Sequence, residues 1–273
     1  MKYSQFNNHF FYEQKYIWFN SFSNEFLILE PILHDLLQSS INEKNPLELK
    51  KIHQDFYDAL LSKKFIVDKF VNEIELVREW NKKLIEDDNF YHITINPTMN
   101  CNFKCWYCYE THIKDSKLSD KTIQAICNHI NIVFNTYPNL KDFKLSWFGG
   151  EPLTQPKVIE YIAPKLISFC EEHKIDFSSG ITTNGALLNI DNIKLLQKCK
   201  VDYYQIAIDG DEKTHNKNKQ DCLSDSSFRL ILNNIVNLLR MNSDAKVTLR
   251  INYTLATLKS ESLVTDITKY IPQ

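Results

Sequence analysis

Cys101, Cys105 and Cys108 stand within eight consecutive positions, inside the stretch "NPTMNCNFKCWYCYETH" of residues 96 to 112. The four other cysteines, Cys127, Cys170, Cys199 and Cys222, are scattered singly. Thiolates at C-x3-C-x2-C spacing converge on one point from a short loop, which suits a compact polynuclear iron–sulfur centre. Three ligands are the informative number, because a [4Fe-4S] cube held by three thiolates keeps one iron open to a small molecule. Two other chemistries fit the same residues. His112 follows Cys108 by four and would complete a Cys3His zinc site, and "CWYC" has the form of a dithiol redox pair.

Glycine is the second unusual feature. At the usual frequency of ~7% a chain of this length carries about 19 glycines. This one has five, Gly149, Gly150, Gly180, Gly185 and Gly210, all between positions 149 and 210. Glycine kept so sparingly marks places where the backbone takes positive φ, or where something approaches the main chain closely.

The elements that must position these residues are legible from Tyr91 onward, where strand and helix patterns alternate. "YHITIN", "FKLSWF", "SGITT", "YYQIAID" and "KVTLRIN" read as strands, with Ile93 and Ile95, then Leu145 and Trp147, then Ile206 and Ile208 on one side. Between them lie helical spacings: Ile123, Ile126 and Ile130; Val158, Ile162 and Leu166; Ile193 and Leu196; Phe228, Ile231 and Ile235; and a last helix near 260–270. Five strand–helix units in succession predict parallel strands with right-handed crossovers. Parallel strands covered on both faces read as continuous apolar runs, whereas these alternate, so one face is polar and lines a cavity. A curved, barrel-like sheet with an open interior meets that requirement, and its chemistry gathers at the C-terminal ends of the strands. The cysteine loop, Gly149 and Gly150, Gly185 and Gly210 follow successive strands and so share that rim.

Residues 1 to 90 read differently. "FFYEQKYIWFNSFSNEFLIL" predicts a hairpin turning near Asn20 to Asn24, followed by helices in 31–40, 46–67 and 72–86, the first opened by Pro31. That is a small α+β domain of winged-helix type. A net charge of −2 with 24% charged residues excludes the basic excess of nucleic-acid binders. No apolar run approaches the length of a membrane span, and no signal peptide opens the chain, so no membrane partner is expected and the cytoplasm is the expected location. An odd, clustered set of seven cysteines also argues against a secreted disulfide framework. Cys127, Cys170 and Cys199 read as small buried hydrophobes and Cys222 as an exposed bystander.

"CNFKCWYC", with an aromatic before the third cysteine, resembles the cluster loop of radical S-adenosylmethionine (SAM) enzymes, and "FGGEP" at Phe148 to Pro152 resembles their glycine-rich motif after strand two. The similarity continues through "ITTNG", "IAIDG" and "LRINYT", over roughly residues 90 to 270. These segments are close to the SPASM-type branch of peptide maturases and sulfatase-maturing enzymes. The resemblance implies an α/β fold, a partial (β/α)6-type barrel of about five units over 91–273. It implies that Cys101, Cys105 and Cys108 bind three irons of a [4Fe-4S] cluster, and that S-adenosyl-L-methionine chelates the fourth. Gly149, Gly150 and Glu151 match the motif that accepts the methionine ammonium, and Thr183, Asn184, Asp209 and Arg250 are candidates for its ribose or carboxylate. The expected reaction is formation of a 5′-deoxyadenosyl radical that takes hydrogen from a substrate carbon, after one electron arrives from a flavodoxin or ferredoxin-type donor.

The sequence departs from relatives in several places. Lys219 stands where they carry Arg, which leaves an ion pair there open, Asn216 follows His215 in place of Asp, and Ala207 replaces a common Ser. The chain stops at Gln273, after its fifth unit, and is read as truncated before a sixth strand and a cysteine-rich extension. The N-terminal pattern suits capture of a precursor peptide by strand addition. A ribosomally made peptide is therefore the expected substrate. A folded protein partner, as in sulfatase maturation, and an inert peptide-binding scaffold are the alternatives.

Overall fold

The computed structural model describes residues 1–219, 226–255, 257 and 262–271. The chain divides into two compact units, Met1–Asp87 and Asp88–Gln273, each with its own apolar core.

The first unit contains β1 (Lys2–Tyr3), β2 (Asn7–Tyr12), β3 (Lys15–Asn20), β4 (Glu25–Leu29), α1 (Pro31–Asn42), α2 (Pro46–Ile52), α3 (Gln54–Ser62), β5 (Ile66–Val67) and α4 (Glu73–Ile85). β2, β3 and β4 form an antiparallel sheet with β3 in the middle, and β1 pairs with β5. The single hairpin read from sequence is thus a three-stranded meander. Its extra turn falls at Glu13 and Gln14, both left-handed with φ of 47° and 64°. Tight hairpin turns normally announce themselves with Asn or Gly, and this one does not. The helix expected over 46–67 also breaks. At His53 the backbone is extended, with φ −149°, and the His53 ring accepts from the Phe56 amide to cap α3. Trp18, Leu37, Leu49, Leu60 and Phe65 fill the core.

The second unit contains β6 (Phe90–Ile95), α5 (Asp120–Thr136), β7 (Asp142–Trp147), α6 (Pro156–His173), β8 (Asp176–Thr183), α7 (Ile190–Lys198), β9 (Val201–Ile208), α8 (Glu212–Asn218), α9 (Ser227–Met241), β10 (Lys246–Ile251) and α10 (Ser262–Thr268). The five strands lie side by side in chain order, from β6 at one edge to β10 at the other, and every pair is parallel. This is the α/β partial-barrel sheet that the alternating units predict.

Alternation along each strand separates two faces. Leu145, Trp147, Ile206 and Ile208 share one core with Ile159, Ile162, Leu196, Phe228 and Ile231 of the covering helices. Cys170 and Cys199 are buried in that core and Cys127 is half-buried; Cys222 lies outside the described residues. On the opposite face Lys144, Ser146, Thr182, Gln205 and Thr248 line an open hollow. Among the described residues no helix is long and apolar enough to cross a membrane.

Candidate functional site

The loop from β6 to α5 carries the three cysteines, all half-buried and free. It is shaped from within: Thr98 Oγ1 donates to the Ser116 carbonyl at 2.6 Å and accepts from the Asn100 amide, while Cys101 Sγ accepts from the Phe103 amide at 3.4 Å. The glycine loop after β7 lies directly against it. A Cβ on Gly150, whose φ is +47°, would come 2.2 Å from the Asn100 carbonyl oxygen, and one on Gly149 would come 2.6 Å from the Asn96 side chain. Only glycine permits that approach, and the Glu151 amide then donates to the same Asn100 oxygen at 2.8 Å.

Of the cavities at the C-terminal ends of the strands, one surrounds the cysteine loop, and a second, beyond Tyr107, is lined by Asp209 and Asn252. Of the ten site residues expected from sequence, eight line the first: Cys101, Cys105, Cys108, Gly149, Gly150, Thr183, Asn184 and Arg250. The other two do not. Asp209 and Glu151 are each 1% exposed.

The position of Glu151 changes the reading of the motif. Its carboxylate accepts from Thr183 Oγ1 at 2.8 Å, from the Asn184 amide at 2.8 Å and from the Leu153 amide at 3.1 Å. Burial raises its pKa, and these three donors oppose the rise. Glu151 is therefore a clamp between the glycine loop and the end of β8, with its carboxylate bound to two residues of the cavity wall, Thr183 and Asn184. The carboxylate that does line the cavity is Glu110, which accepts from the Gly150 amide at 3.0 Å. Sequence reasoning missed Glu110, although its place two residues after Cys108 is a signal of proximity.

Asp209, itself buried, joins a network with half-buried Tyr107 and Asn252 beside the cysteines. Tyr107 donates its hydroxyl to Asp209 Oδ2, and Asn252 Nδ2 donates to Asp209 Oδ1 at 2.9 Å. Burial, then the bond to Asp209, raises the Tyr107 pKa and keeps the phenol protonated. Lys219 is 2% exposed. Its Nζ donates to the Ala207 carbonyl at 2.6 Å and stands 3.8 Å from Asp209 Oδ1, so lysine forms the ion pair that replacement of arginine left open. Burial lowers the Lys219 pKa against the pull of Asp209. His215 is fully buried, accepts from the Asp209 amide at Nδ1, and is held neutral by burial with its pKa lowered to about 3. Tyr107 and Asn252 were not expected as site residues; the register that sets Ile251 beside Ile208 would have placed Asn252 next to Asp209.

The donor set bears on a Cys3His zinc site. Tetrahedral zinc with Zn–S near ~2.3 Å needs sulfurs roughly 3.8 Å apart. Among the described residues the set of three potential ligand atoms within 4.8 Å of one another is Cys108, Glu110 and His112, and it contains one cysteine. Cys108 Sγ and His112 Nε2 are 3.4 Å apart. Three thiols spread around a common cavity suit a cube of irons better than one ion held by all three. Burial raises the Cys101 pKa to about 11 and raises that of Cys105 as well, so a cationic centre is what would hold them as thiolates.

A parallel α/β sheet with a three-cysteine loop and a glycine loop on one rim defines an iron–sulfur enzyme class. The Radical SAM superfamily profile matches residues 95–255, and this chain belongs to that superfamily. Its cofactors are a [4Fe-4S] cluster and S-adenosyl-L-methionine. The radical SAM cyclopropyl synthase TigE of Paramaledivibacter caminithermalis is 29% identical over 196 residues, covering 66% of this chain and 40% of its own length. The tungsten-containing aldehyde ferredoxin oxidoreductase cofactor-modifying protein of Pyrococcus furiosus is 25% identical over 120 residues, 43% of this chain and 30% of its own. The solved structure of polyhistidine-tagged anSMEcpe with bound AdoMet shares the fold, with a TM-score of 0.51 at 21% identity over 66% of this chain and 48% of that one. The chain thus spans less than half the length of each of these proteins.

Proposed function

We propose that this chain is the cofactor-holding part of a radical SAM peptide maturase, which takes hydrogen from a carbon of a ribosomally made precursor peptide in the cytoplasm. The observation that carries the reading is the convergence of Cys101, Cys105, Cys108, Gly149, Gly150 and Arg250 on one cavity. In this reading the three cysteines hold three irons. Gly149 and Gly150 bring bare backbone to the methionine end of S-adenosylmethionine, with Glu110 as the nearby carboxylate for its ammonium. Arg250 and Lys219 supply positive charge for its carboxylate, and Thr183 and Asn184 face the remainder. When bound, the two cofactors supply a 5′-deoxyadenosyl radical, with the electron delivered by a flavodoxin or ferredoxin-type donor. The chain's own work is holding: the Tyr107–Asp209–Asn252 network ties the cysteine loop to the C-terminal ends of β9 and β10.

Support for a peptide comes from the first unit. β4 is an edge strand of its sheet, with Phe26 54% and Ile28 66% exposed on one side. Strand addition there would give main-chain affinity, with the two side chains as specificity contacts.

Anaerobic reconstitution with iron and sulfide, followed by EPR of the dithionite-reduced protein, tests the cofactor reading. The expected spectrum shifts when S-adenosylmethionine is added and 5′-deoxyadenosine forms. A protein that takes up one divalent ion per chain and shows no such shift would end the proposal. Calorimetry with a synthetic precursor peptide tests the substrate. Binding should weaken about tenfold or more in Ile28→Pro, since proline removes a ladder donor; no binding by the unmodified chain would remove the peptide.

A further inference from the structure

The inner face of the five-stranded sheet carries positive charge that no ion pair among the described residues answers. Register sets Thr94, Ser146, Gly180, Tyr203 and Lys246 in one row across it. Lys144 stands one inward position nearer the N-terminal edge, beside His92, and Arg250 stands two inward positions nearer the C-terminal rim. The nine ion pairs of the described residues include none of Lys144, Lys246 and Arg250. Two carboxylates, Asp142 and Asp176, pair beside Phe90 in the lowest row and do not line the hollow.

That hollow, about 230 Å³, has lysines on two sides, Lys144 with Ser146 and Lys246 with Tyr203. Lys246 Nζ is held over the Tyr203 ring, 5.1 Å from its centroid. Its floor is Gly180, in the middle of a central strand, where glycine ordinarily weakens a sheet. A Cβ at Gly180 would come 3.1 Å from Tyr203 Cβ and 3.2 Å from the Tyr203 carbonyl oxygen, so the bare position lets Tyr203 lie close and keeps the floor open. Thr182 and Gln205 line both this hollow and the cysteine cavity, so the two are continuous along one face.

The geometry points to a carboxylate subsite: the substrate segment that lies along the inner face carries an acidic side chain, held between Lys144 and Lys246. This rests on the peptide reading above and names the chemistry of the peptide. Two ammonium groups around one carboxylate make charge-assisted hydrogen bonds, and among the described residues neither lysine is committed to an ion pair. Lys246 precedes Arg250 by four residues of strand, a span of about 13 Å. The subsite therefore lies about four extended residues from the rim position of Arg250.

The test is fluorescence anisotropy on the reconstituted full chain, with fluorescein-labelled hexaglutamate and hexaglutamine as probes. Hexaglutamate should bind about tenfold or more tightly than hexaglutamine, and more weakly as salt rises. Lys144→Glu/Lys246→Glu should lower hexaglutamate affinity about tenfold or more, and Lys144→Gln/Lys246→Gln should move it the same way. Lys194→Glu/Lys198→Glu, the same charge change on the exposed side of α7, should cost less than about threefold. Equal binding of the two probes, no hexaglutamate binding, or an equal effect of the two Glu pairs overturns the subsite while leaving the peptide reading intact. Failure of the precursor to bind in calorimetry would remove that reading instead.

Discussion

The two faces of the five-stranded sheet are built from the same strands and obey opposite rules. On the helix-covered face Leu145, Trp147, Ile206 and Ile208 are fully buried. On the other, Lys144, Ser146, Gln205 and Thr248 alternate with them and stay in contact with open space. One face gains stability by removing apolar surface from water, at roughly 25 cal/mol per Å². The other leaves polar side chains free to meet ligands. Stability and chemistry are therefore separable residue by residue, with a period of two along each strand.

Substitutions should expose that separation. The largest effect belongs to the rim. Cys101→Ala should abolish the iron–sulfur absorbance and bring 5′-deoxyadenosine formation to background, with the urea midpoint changed little; a retained absorbance would refute the ligand assignment. On the covered face, Trp147→Ala should cost about 3–5 kcal/mol in urea unfolding. Gly150→Ala lies at the boundary: a Cβ 2.2 Å from the Asn100 oxygen at positive φ must push the two loops apart. It should lower cluster occupancy by iron analysis and destabilise by about 1–3 kcal/mol.

The acid limb gives a subtler check. His215 has its folded pKa lowered to about 3, by burial first. Between the unfolded value near ~6.5 and that folded value, the unfolded chain binds the extra proton, so stability falls as pH drops through this window. The slope it contributes is at most about 1.4 kcal/mol per pH unit, and His215→Asn should flatten it. The smallest effect is expected on the open face, where Ser146→Ala should stay within about 0.5 kcal/mol of the parent.

Much of this architecture is legible in the sequence because its signals are local. The C-x3-C-x2-C spacing and the alternation of Phe143, Leu145 and Trp147 each lie within a few consecutive residues, and the glycines Gly149, Gly150, Gly185 and Gly210 all prove to have positive φ. What escaped is non-local. Glu151 belongs to the glycine motif, yet its orientation is set by Thr183 and Asn184, thirty-two and thirty-three positions away. Asn252 meets Tyr107 only because five strands align first. The turn at Glu13 and Gln14 escaped for another reason: both residues take left-handed backbone that neither type favours, so the surrounding sheet imposes it.

The bond from Asn252 Nδ2 to the Tyr107 hydroxyl, at 3.3 Å, joins residues 145 positions apart. A ribosome adding roughly 5–20 residues per second takes about 7–30 s to travel that distance. Throughout the interval the thiols have been made but the fifth strand of their sheet has not. When the fifth strand docks, the bond from Asn252 to the Tyr107 hydroxyl ties its end to the loop that carries the thiols, which stay open to the cavity.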